Sequence, residues 1–282
     1  MKRFEFDKDN LNDLYGLSCV ENFLLYILKM ERYSYKFLFY KSFLSFSAIV
    51  NAFYIDKVEY AYFNKISRIQ DLARKNKVIN MRENFILDLD FFDRYDYICV
   101  MVKPEYIKSK YNTEMWRDDH YILLSKTDNK NFNYLNDNPR NIGVISFSEL
   151  ENISTGRVLA FDLKKDINDE IKKVFFNEFI IDFNADALTD LNINITDFTM
   201  ARDILGIHRI LRRRTCDFCS QYANIEFLTP YLNALDKHYT SLEYMRLRNK
   251  VDYNKINEIF ANILQEDRNE MFKIKTELEK LT

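Results

Sequence analysis

The sequence predicts an α+β protein: a helix and an antiparallel sheet first, then an all-helical C-terminal part. Three observations predict it. Strand-like runs cluster between Tyr97 and Leu163 and cease after Lys164-Lys165-Asp166. Apolar residues recur at helical spacing on both sides of that cluster. Gly and Pro are scarce, at 4 and 3 in 282 residues, which argues against a loop-rich sandwich of small strands. The change of pattern sets the expected domains at 1–165 and 166–282.

The first element is the helix that begins at Ser18. Val20, Phe23, Leu24, Ile27 and Leu28 share one face. Ser18 and Glu21 match an S-x-x-E capping box, which puts Cys19 at the first helical position. There, free backbone N–H groups and the dipole favour a thiolate. Gly16, just upstream, lets the chain turn tightly into the helix. Packing is the plainer role for a small buried Cys.

In the aromatic-rich Tyr33–Tyr54 stretch, Phe43, Phe46, Ile49, Val50 and Phe53 fit helical spacing and read as core. Glu59–Asn76 reads as another amphipathic helix with a solvated charged face. Tyr97–Val102 is a buried strand ended by Lys103-Pro104, with Cys99 structural. A polar loop, Ser109–Asp119, carries the single tryptophan, Trp116, a candidate substrate-binding residue.

Next comes a hairpin, His120–Ser125 and Phe132–Pro139, turning at Asp128-Asn129. A symmetric turn pairs residue n with 257 − n, so Asp137 faces His120 with Cβ atoms about 4.5–5.5 Å apart. Displaced by one residue, the turn makes Asn136 or Asn138 the partner instead. Val144–Phe147 and Val158–Leu163 complete the strands, with an S-x-x-E cap at Ser148–Glu151 between them. Ile171–Phe183, Thr196–Leu211, Thr215–His238 and Tyr253–Leu281 read as helices.

Composition excludes several classes. Net charge is −2, so no overall field draws nucleic acid. No glycine-rich phosphate loop is present. The longest charge-free run, Ser42–Ile55, is too short and polar to span a membrane, and the N-terminal residues lack a signal peptide's apolar segment. Four cysteines without a secretory signal imply reduced thiols and a cytoplasmic setting. Cys216-x-x-Cys219, with His208 and His238, fits no usual metal-ligand spacing and reads as packing, so no metal is expected. Arg209, Arg212, Arg213 and Arg214 form a basic cluster, read either as a solvated helix end or as a dock for an acidic partner.

Cys19, His120 and Asp137 therefore follow one another in the contexts that a thiolate–imidazolium pair oriented by a carboxylate needs. The Cys helix, the His-Tyr-Ile-Leu-Leu…Tyr-Leu-Asn-Asp-Asn-Pro segment and Ile-Ser-Phe-Ser-Glu-Leu resemble the N-terminal domain of the butirosin biosynthesis protein H family, over about residues 10–163. The resemblance implies a papain-like catalytic core, related to the bacteriocin-processing cysteine peptidases, with Cys19 as nucleophile, His120 as base and acid, and Asp137 as orienting carboxylate. It implies transfer of an acyl group from a carrier-protein phosphopantetheine thioester, through Cys19, to an amine in natural-product biosynthesis. No cofactor resident on the enzyme is implied. Arg209, Arg212 and Arg213 then become candidates for binding the acyl or peptidyl carrier protein. Where papain-like enzymes place a Gln shortly before the Cys, this chain has Asp13, and Asn12 is the substitute oxyanion donor. A cysteine peptidase or amidase of the same fold, and a catalytically inactive interaction module, are the alternatives.

Overall fold

The computed structural model describes residues 6–8, 11, 15–63, 74–112, 120–128, 130–163, 167–185 and 194–281. The protein is α+β, with an antiparallel six-stranded sheet followed by C-terminal helices. The chain forms two compact units. One holds residues 1–13, 17–35 and 70–168; the other holds 14–16, 36–69 and 169–282. The units therefore interleave, rather than dividing as 1–165 and 166–282. The reason is aromatic packing. Phe37 and Tyr40 pack tilted and edge-on against Phe175, and Phe43 against Phe179 and Phe183, which carries the 36–54 stretch into the helical unit.

In the first unit, helix α1 spans Cys19–Met30. The sheet comprises β1 (Ile79–Asn84), β2 (Ile98–Val102), β3 (His120–Lys126), β4 (Asn131–Asn136), β5 (Asn141–Ser146) and β6 (Ser154–Leu163), in the order β1-β6-β2-β3-β4-β5. Strand β1 is polar along much of its length and carries no clear alternation, which is why periodicity misses it. One face of the sheet buries Ile98, Val100, Ile122, Leu124, Phe132 and Val158. The alternating residues Cys99, Leu123, Leu135 and Leu159 are buried too. Burial of both faces explains the continuous apolar runs at 97–102 and 121–124. Helix α1 packs against β3.

The capping box before the Phe147–Ile153 helix is real but starts earlier than expected. Ser146 is the N-cap and Glu149 its reciprocal partner, in place of Ser148 and Glu151. Short helices lie at Leu89–Arg94 and Pro104–Tyr111, and the second takes the start of the expected Ser109–Asp119 loop.

The second unit contains helices at Phe46–Tyr54, Tyr60–Phe63, Asp169–Ala185, Phe198–Cys219, Thr229–Leu247 and Tyr253–Glu279. Phe46, Ile49, Val50 and Phe53 enter its core with Ile204, Leu205, Leu235, Phe260 and Ile263. Most of the expected Glu59–Asn76 helix lies outside the described residues. The expected break at Arg212–Arg214 is absent: Phe198–Cys219 is continuous and the chain turns at 220–228. Among the described residues, no helix is long and apolar enough to cross a membrane.

Candidate functional site

Cys19 opens α1, as the spacing predicts, and is half-buried. Ser18 is the N-cap, but its side chain makes no capping hydrogen bond, so the expected Ser18/Glu21 box does not form. Glu21 is instead buried, and its charge acts on the Cys19 thiol. That thiol is pushed up to about 12, first by burial and then by the charge of Asp137. Main-chain hydrogen bonds from Tyr121 and Val20 oppose the rise, and Glu21 adds to it. Burial and the neighbouring carboxylates thus oppose the thiolate that the helix dipole favours. A dipole contributes about 0.3–1 kcal/mol, whereas each pKa unit is about 1.4 kcal/mol.

The Tyr121 contact places the sulfur one peptide unit from His120, the first residue of β3. His120 is buried, and its Nε2 lies 2.5 Å from Asn136 Oδ1. Asn136 Nδ2 donates to Pro139 O at 2.9 Å, which fixes the amide so that Oδ1 faces the ring. An acceptor at Nε2 requires the proton there and leaves Nδ1 as the basic nitrogen.

Asp137 does not take the expected place. The observed ladder pairs Leu123 with Leu135 and Lys126 with Phe132, so n faces 258 − n rather than 257 − n. A one-residue slip exchanges the faces. It sets His120 and Asn136 on the same face as diagonal neighbours, within reach of long side chains. Asp137 falls just past the end of β4 and turns toward α1, where the Asn22 side chain donates to it. Its Oδ1 stands 4.0 Å from His120 Nε2, beyond hydrogen-bond distance but close enough for charge. Burial raises the Asp137 carboxyl, while His120 and the Asn22 hydrogen bond work against that rise.

Asn12 and Trp116 lie outside the described residues. The basic cluster is not a docking surface of three arginines. Arg212 is 1% exposed and forms a two-pronged pair with Asp267, Nε to Oδ1 at 2.7 Å and Nη2 to Oδ2 at 3.0 Å. Arg209 and Arg213 both pair with Asp236, and Arg209 lies over the Tyr239 ring at 4.2 Å. Arg214 is buried among main-chain carbonyls. These side chains sit in mid-helix, where one face must turn inward, and not at a solvated end.

Two site residues escaped the sequence. Asn136 surfaced only as the alternative if the turn slipped. Asn22 lies three residues after Cys19 in α1, a spacing that puts both on one helix face and was the available signal. Among the described residues, no three His, Cys, Asp or Glu side chains group where they could hold a metal ion. Comparison of the chain with protein-family models and with curated protein sequences gives no match.

Proposed function

We propose that this chain is a cysteine-nucleophile acyltransferase that forms an S-acyl intermediate on Cys19 and passes the acyl group to an amine. One observation carries the reading: a thiol at a helix start meets the strand residue next to a buried His whose Nε2–H is held by a side-chain acceptor. In this reading Nδ1 of His120 takes the thiol proton as Cys19 attacks an acyl thioester. The imidazolium so formed is stabilised by the Asp137 carboxylate at 4.0 Å. Because burial keeps the resting thiol protonated, proton removal accompanies attack instead of preceding it. The protonated imidazole then serves the leaving thiol, and Nδ1 next deprotonates the incoming amine. A papain-like core and a carrier-protein donor fit the resemblance noted above, with carrier docking no longer assigned to Arg212.

The test is direct. Incubated with an acyl N-acetylcysteamine thioester and no amine, the protein gains the acyl mass on Cys19, and added amine discharges it. Cys19→Ala abolishes the gain, while Cys99→Ala and Cys216→Ala retain it. Release of free acid with no amide under saturating amine assigns a hydrolase instead. No gain on Cys19 overturns the reading.

A further inference from the structure

Beside His120 and Asn136, the site retains two oxygen atoms whose capacity the described residues leave unused. Asn22 is 6% exposed; its amide donates to Asp137, and its Oδ1 has no partner among the described residues. Asp137 Oδ1, on a side chain 10% exposed, accepts no hydrogen bond there either. Both atoms accept only. A buried acceptor left without a donor costs about 1–3 kcal/mol, so two such oxygens beside a nucleophile suit the N–H groups of a bound molecule.

Charge narrows the donor. Asp137 and Glu21 both act on Cys19 as anions, and His120 is the basic side chain beside Asp137. Among the described residues, Cys99 on β2 is a further titratable group there, a fully buried thiol raised by burial. Such surroundings repel a carboxylate or phosphate and attract a cation with N–H groups.

We propose that Asn22 Oδ1 and Asp137 Oδ1 form a subsite that receives the acceptor substrate as a protonated primary amine. The inference rests on the acyl-transfer reading and adds the form in which the acceptor arrives. The step balances as follows. The ammonium gives one proton to the Asp137 carboxylate, whose affinity for it burial has raised. The neutral amine attacks the acyl carbon, the C–N bond forms and the C–S bond breaks. The amine's second proton passes through His120 to the Cys19 sulfur, and Asp137 later returns its proton to solvent.

The experiment uses the full chain and no acyl group. Cys19 is alkylated with iodoacetamide at fixed pH, with methylammonium chloride or tetramethylammonium chloride at equal ionic strength. A methylammonium ion on Asp137 cancels the charge that holds the thiol up. Alkylation should therefore accelerate saturably by about three- to tenfold. Tetramethylammonium, with no N–H donor, should give no such acceleration. Asn22→Leu should raise the half-saturating concentration, and Asp137→Asn should remove the response, with thermal melts checking that each variant is folded. A wild-type rate indifferent to methylammonium, an equal response to tetramethylammonium, or a response that survives in Asp137→Asn overturns the proposal. Failure here leaves thioester acylation of Cys19 standing, and failure of that acylation leaves this measurement to stand by itself.

Discussion

Replacing Asn136 with Ala removes the acceptor for His120 Nε2–H and the donor to Pro139 O in one step. The ring then loses the partner that fixes its tautomer. Acylation of Cys19 by a thioester should fall by about 10- to 100-fold, within what a positioned general base contributes. Stopped-flow mass spectrometry of the acyl-enzyme checks this, and an unchanged rate would remove Asn136 from the mechanism. The thiol itself makes a second prediction. With Cys19 pushed up to about 12, the thiolate is the minor form at neutral pH. Its fraction, and the alkylation rate, should rise about tenfold per pH unit toward that value. A plateau already reached near neutral pH would instead reveal a resting ion pair with His120.

Two helix starts that look alike in sequence differ in what holds them. Ser146 and Glu149 form both hydrogen bonds of a capping box, whereas Ser18 makes no capping hydrogen bond. Ser146→Ala should therefore destabilise the protein by about 1 kcal/mol and Ser18→Ala by a few tenths. Urea midpoints of the two variants test the contrast, and equal losses would refute it. Gly16 belongs to the same scale. Its φ is +53°, and a Cβ there would lie 2.5 Å from Ile210 Cδ1. Gly16→Ala is strained by both backbone and contact, and should cost about 1–3 kcal/mol.

The helical unit is built around a buried polar cluster. Arg212 pairs with Asp267, Phe46 N–H donates to Asp267 Oδ2 at 2.8 Å, and Tyr231 Oη donates to Asp267 Oδ1 at 3.2 Å. His208 Nε2 lies 2.7 Å from Tyr231 Oη. Asp267→Ala strands a buried guanidinium and should cost about 3–5 kcal/mol. His208 makes this unit sensitive to acid. Burial lowers its pKa from 6.5 to about 3, so the folded ring stays neutral while the unfolded ring protonates. The unfolded state then binds more protons between those values, and stability drops as pH falls from 6.5 toward 3. Asp267, held low by Arg212, adds a loss below its ordinary carboxylate range. Melting midpoints at pH 7.5 and 5 should differ less in His208→Gln than in the wild type. An equal drop in both would assign the acid sensitivity elsewhere.

Local pattern determined what depends on near neighbours. The start of α1 at Cys19, the apolar strands 98–102 and 120–126, the buried face of Phe46–Tyr54 and the α+β class follow from periodicity and turn chemistry. Each is decided within a few residues, so the sequence alone contains the cause. What needed tertiary structure was every choice between equivalent local options. A hairpin's apolar pattern permits 257 − n or 258 − n equally, and the folded ladder takes the second, giving His120 to Asn136 rather than to Asp137. Cationic residues read as surface until a buried carboxylate such as Asp267 arrives from 55 residues away to hold Arg212 inside. The thiol shows the same division. Its place at a helix start is local, but its protonation follows from burial and from a charge brought beside it by the fold.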